Sequence, residues 1–161
     1  MRVLSWNIAG GHTFTGAVED AFSYEKEDLQ HFAQRINQVN PDIAGLQEAH
    51  THDEDDKQNH ANILAKDLGY KYFENHFYGK SHIKEGNKLS LATLSKYPIV
   101  SSFFHQLPNP NLTIKRPNGD IWITFDVGFL VTTITYNEQK VVIMNCHLAP
   151  FHYFGRDYDE L

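Results

Sequence analysis

The sequence predicts an α/β fold that opens with two parallel strands joined by a helix. Three observations carry this. Arg2 to Ile8 alternates in polarity and ends at Gly10-Gly11, which reads as a strand. Tyr24 to Val39 places Leu29, Phe32, Ile36 and Val39 at helical spacing. Asp42 to Gln47 is a short apolar run of the kind covered on both faces of a sheet.

Each element has its own signals. In the helix Ser23 is the expected cap, with Glu25, Glu27 and Asp28 where the helix dipole favours acids; Asn40-Pro41 stops it. A strand-helix-strand unit is parallel and right-handed in nearly all cases, so both strands finish at one edge of the sheet. Asn7 ends the first strand and Glu48 follows the second, so residues distant in sequence are expected on one rim. In open α/β sheets ligands bind at that rim. His50 to Asp56 reads as a polar loop, and Gln58 to Leu68 as a shorter helix ended by Gly69, with Ala61, Leu64 and Leu68 on one face. Strands are expected at Tyr70–Phe77, Lys88–Ser95, Ile99–Phe104, Ile121–Val127, Phe129–Tyr136 and Lys140–Leu148. Asn118-Gly119 and Asn137-Glu138-Gln139 read as hairpin turns, and Pro108-Asn109-Pro110 as a loop. No repeat or linker divides the chain, so residues 1–161 read as one domain.

Composition excludes several classes. The 161 residues are 41% hydrophobic and 21% charged, enough for a core, and no run of about 18 apolar residues exists to span a membrane. No signal peptide is recognised, and the compartment expected is the cytoplasm. A single cysteine, Cys146, rules out a disulfide framework and a cysteine-based zinc site. The net charge of −6 is unevenly spread: residues 1–56 carry 3 basic and 11 acidic groups, residues 57–118 carry 9 and 3, and residues 119–161 carry 2 and 6. Acidic ends around a basic middle suit a cation site beside a surface that tolerates phosphate, although charge also fluctuates along any sequence.

Two places combine a buried strand with a polar end. In the strand from Lys140, alternation puts Val141, Ile143, Asn145 and His147 on one face, so a polar pair closes an apolar row. Glu48 directly follows the apolar run from Ile43. A carboxylate there is either solvated or holds a hard cation such as Mg²⁺, which needs only one or two protein carboxylates and keeps several waters. Asn7 offers an amide to the same ion or to Glu48.

Ser5-Trp6-Asn7-Ile8, Pro41-Asp42-Ile43 running into Leu46-Gln47-Glu48, Leu94-Ser95-Lys96-Tyr97-Pro98-Ile99 and Asn145-Cys146-His147-Leu148 occur in that order. Together they resemble the endonuclease/exonuclease/phosphatase superfamily, the DNase I-like fold, from Arg2 to about Pro150. The resemblance implies a four-layered α/β sandwich, two sheets face to face flanked by helices. It implies hydrolysis of phosphate esters with a divalent cation, Mg²⁺ or Mn²⁺. It makes Glu48 the metal ligand, Asn7 part of the metal and phosphate site, and His147, with Asn145 beside it, the catalytic pair at the scissile phosphate. The family's later Asp-x-Asn and Asp-His motifs do not occur in this sequence. The expectation is therefore the N-terminal portion of such a domain, with an incomplete second sheet, weak or no turnover alone, and self-association through an exposed inner face of the first sheet.

Substrate stays open among nucleic acid, phospholipid headgroup and inositol phosphate. Ala9-Gly10-Gly11 after Asn7 departs from the Gly-Leu-Arg of abasic-site nucleases. A non-catalytic binding module on the same fold is one alternative. A different metallohydrolase centred on His50 and His52, in the cluster ending at Asp56, is another. Lys80, His82, Lys84, Lys88 and Arg116 read as phosphate contacts or as solvated loop. Phe103, Phe104, Trp122 and Phe125 read as packing or as stacking platforms for bases, and Phe151 to Phe154 as cleft lining or as packing.

Overall fold

A computed structural model describes residues 1–13, 26–51, 59–115, 119, 121–149 and 151–157. Strand β1 (Val3–Asn7) lies parallel to β2 (Ile43–Thr51), with Asn7 opposite Gln47, and helix α1 (Leu29–Val39) makes the crossover. Helix α2 (His60–Leu68) follows, then β3 (Tyr72–Lys80) and β4 (Lys88–Ser95). These strands form a mixed sheet in the order β1-β2-β4-β3. Strands β5 (Ile99–Gln106), β8 (Gly128–Tyr136) and β9 (Gln139–His147) form a second, antiparallel sheet in the order β5-β8-β9. Between them β6 (Thr113–Lys115) and β7 (Ile121–Ile123) pair as a short ribbon.

The described residues make three layers. Phe32, Ala33 and Ile36 of α1 and Ala61, Leu64 and Ala65 of α2 pack on Ala44, Leu46, Ala92 and Leu94, which covers the outer face of the first sheet. The second sheet covers its inner face, where Leu89, Leu91 and Tyr78 meet Leu130, Phe104 and Phe125. With both faces covered, every residue of β2 is buried. That is why its sequence reads as an unbroken apolar and small-residue run.

Several boundaries differ from the sequence reading. Helix α1 starts at Leu29 and not at Tyr24, because Asp28 caps it by accepting from the His31 N–H. Ser23 and Glu25 lie outside the described residues. Glu27 precedes the helix, bridges to His12 and turns its carboxylate towards His60 and Lys84. Strand β2 runs through His50 to Thr51, so His50 is a buried strand residue and not part of a polar loop. Strand β3 is shifted later than predicted, and the expected Ile121–Val127 strand is only the three residues of β7. The inner face of the first sheet is covered. The exposed apolar surface lies instead on the outer face of the second sheet, with Val100, Phe103, Val142 and Met144.

Candidate functional site

The parallel β1–β2 pair brings Asn7 and Glu48 to one rim, and β9 brings His147 to it from the facing sheet. Glu48 Oε1 lies 3.4 Å from His147 Nε2, and Asn7 Nδ2 lies 3.5 Å from the same nitrogen. Asn7 Oδ1 accepts from the Ala9 N–H at 2.9 Å, which fixes the amide with its NH₂ towards the histidine. Three of the four residues expected at the site therefore converge.

Glu48 is aimed by the backbone. The β2–β4 register breaks between Leu46 and Ala49, and Glu48 has a φ of 53° on that bulge. A non-glycine residue in the left-handed region costs about 1–3 kcal/mol, held by its surroundings. Bulges re-aim side chains next to sites, and here the result is a carboxylate that is only 8% exposed.

Asn145 lies apart from this group, buried between the two sheets. Its Oδ1 accepts from Gln47 Nε2 at 2.6 Å, and its Nδ2 donates to the carbonyls of Leu46 and Ala92 at 3.0 and 2.9 Å. The amide clamps the two sheets together. Gly45 makes room for it, since a Cβ there would stand 3.3 Å from the Asn145 amide carbon.

Tyr78 is the residue that sequence reasoning missed. Its hydroxyl lies 3.0 Å from His147 Nδ1, and its ring stacks on Phe125 with centroids 5.8 Å apart. It sits on a second bulge, between Phe77 and Gly79 of β3. The break in polarity alternation at Tyr78-Gly79 was the available signal. Burial, with the Glu48 carboxylate nearby, pushes the phenol well above its ordinary value, against a hydrogen bond from the Glu48 backbone. Burial pulls the His147 imidazole below its ordinary value. The Glu48 carboxylate opposes this and His82 adds to it.

A separate group lies behind the rim. Glu27, His50 and His60 bring metal-ligating atoms within 4.8 Å of one another. Their hydrogen bonding is that of a strut. The His50 backbone N–H donates to His60 Nδ1 at 3.1 Å, so the His60 proton sits on Nε2, 3.2 Å from Glu27 Oε1. A metal on Nε2 needs that proton on Nδ1, where the backbone donor stands. The His50 ring contacts Ser81 Oγ at 2.9 Å and Asn87 Nδ2 at 3.0 Å. Gly10, with a φ of 61°, packs flat on this ring; a Cβ would come within 2.4 Å of it. Burial is the main cause that pulls His60 down to about 4 and His50 to about 3, so both are neutral near pH 7. His52 to Asp56 and Arg116 lie outside the described residues. Lys84 pairs with Glu27 at 3.0 Å, Lys88 lies over the Phe77 ring, and Tyr153 meets Trp122 edge-on.

The model of the Endonuclease/Exonuclease/phosphatase family matches residues 4–161. The chain belongs to this family. Its fold recurs in an endonuclease/exonuclease/phosphatase from Beutenbergia cavernae DSM 12333, at TM-score 0.68 and 21% identity over 92% of this chain and 38% of that one. A family protein from Leptotrichia buccalis C-1013-b matches at TM-score 0.59 and 17% identity, over 92% of this chain and 55% of that one. D. rerio TDP2 complexed with single strand DNA product matches at TM-score 0.53 and 17% identity, over 92% and 46%. The chain thus spans about two fifths to just over half the length of these family structures. No curated protein matches the sequence. Within the family's DNase I-like sandwich, the described residues supply the helix-covered sheet and three strands of its partner. No described helix is long and apolar enough to cross a membrane.

Proposed function

We propose that the chain carries the metal and phosphate half of a divalent-metal-dependent phosphoesterase site. The observation behind this is the meeting of Asn7, Glu48 and His147 within 3.5 Å at the shared end of two sheets. The donor set fits a hard cation. Glu48 is a nearly buried carboxylate facing an imidazole that burial holds towards neutrality, so its charge calls for a cation. One carboxylate suits Mg²⁺ or Mn²⁺, which retain waters of their own.

When bound, such an ion supplies Lewis-acid stabilisation of the phosphoryl oxygens. The chain's own groups do the rest. Glu48 holds the cation position, and Asn7, its amide oxygen turned to the Ala9 N–H, borders that position with its NH₂. His147 presents Nε2 to the phosphate, whose negative charge favours the protonated ring. A protonated imidazole there stabilises charge as it builds at phosphorus. No Asp-x-Asn is present to orient or deprotonate the attacking water, so turnover by residues 1–161 alone is expected to be weak. The family and the DNA product held by D. rerio TDP2 put nucleic acid beside lipid and inositol phosphates among the esters to test.

The deciding experiment titrates Mn²⁺ against the protein by calorimetry. Glu48→Gln is expected to weaken binding at least tenfold, and His50→Ala to leave it nearly unchanged. Loss of binding in His50→Ala alone would move the metal to the buried histidines and overturn the assignment.

A further inference from the structure

We propose that Tyr78 is a positioning residue for His147, its buried hydroxyl donating to Nδ1 so that Nε2 faces Glu48 and the phosphate position in a fixed plane. The role rests on the reading of His147 given above.

Three observations carry it. Tyr78 is the extra residue of the β3 bulge, and only that break in register brings it into the layer between the sheets. It is 8% exposed and its hydroxyl lies 3.0 Å from His147 Nδ1. Its ring is fixed against Phe125 on one side and tilted towards the His147 ring, with centroids 6.1 Å apart, on the other. The Glu48 carboxylate, which can only accept, faces Nε2 at 3.4 Å and so favours the ring proton there, which leaves Nδ1 to accept from the phenol. A neutral imidazole that accepts at Nδ1 carries its proton on Nε2. That proton points to Glu48 Oε1 at 3.4 Å, and the Asn7 NH₂, 3.5 Å away, is then a neighbour of Nε2 and not a donor to it. Two bulges, one on either neighbour of β4, thus aim Glu48 and Tyr78 at opposite nitrogens of one ring. Ring orientation set through the distal nitrogen is a general means of fixing a functional histidine.

The test reads the ring nitrogens directly and needs no turnover, so its failure is separate from failure of the phosphoesterase reading, which the Mn²⁺ titration decides. The protein is labelled with ¹⁵N in histidine, and spectra are taken at about pH 8, where an imidazole is neutral. In the wild type, His147 is expected to show a protonated Nε2 and a hydrogen-bonded, unprotonated Nδ1. In Tyr78→Phe, which keeps the ring and its packing, the Nδ1 resonance is expected to move to the position of an unbonded nitrogen. Tyr97→Phe, on the far side of the fold, should leave it in place. A protonated Nδ1 in the wild type, or an unmoved Nδ1 in folded Tyr78→Phe, would overturn the proposal. The wild-type spectrum decides the matter even if the variant does not fold.

Discussion

Asn145 spends its whole side chain between the sheets, accepting from Gln47 and donating to Leu46 and Ala92. Removing it leaves buried polar groups without partners, and each such loss costs about 1–3 kcal/mol. Asn145→Ala is therefore expected to lower stability by roughly 3 kcal/mol in urea unfolding. A loss under about 1 kcal/mol would show that water replaces the clamp. The sequence made this residue visible and left its task ambiguous, because a polar residue ending an apolar strand suits a site and a clamp equally. Asn7, Glu48 and His147 were legible from motif order and from the parallel-strand argument. Tyr78 was not, since the broken alternation at Tyr78-Gly79 marks an irregularity without showing which way it turns the side chain. The backbone conformation at Glu48 was hidden for the same reason.

At the level of elements, His60 ties the start of α2 to β2 through the His50 backbone and to the segment before α1 through Glu27. The His60 value in the fold, about 4, lies below the ordinary 6.5. The unfolded chain therefore binds the proton first. Stability from this group is unaffected above pH 6.5, declines as pH falls from there, and levels off below about 4. At pH 5 the loss should be about 2 kcal/mol, and smaller in His60→Gln, measured by chemical unfolding across that range. A pH-independent difference between the two proteins would contradict it. This strut also explains a misread boundary. Glu27 looked like a first-turn acid, and its contacts with His60 and Lys84 pull it out of α1, so Asp28 takes the cap. Long-range pairing of that kind leaves no trace in local spacing. Strand β7 lies within the expected Ile121–Val127 strand, whereas β6 escaped notice because a three-residue strand is too short to show a period.

For the whole molecule, the two sheets differ in what covers them. Helices α1 and α2 shield the first, whereas the outer face of the second leaves Phe103 58% and Met144 67% exposed, in line across β8 at Val131. An apolar strip of this kind favours association. The double change Phe103→Lys and Met144→Lys is expected to reduce the average mass in light scattering while leaving the thermal midpoint within a few degrees. Unchanged scattering would remove this face as the cause. Parallel strands, crossover helix and face-to-face layers were all readable from the sequence. Which face stays bare was not, because it depends on how β5, β8 and β9 close over the first sheet. That closure has a mechanical side. Asn7 and Glu48 ride on one sheet and His147 on the other, so the gap of 3.4 Å works like the opening of a caliper. Its jaws are set by the thickness of Leu89, Leu91, Leu130 and Phe104 between them. Adding or deleting a methylene there would retune the spacing at the rim.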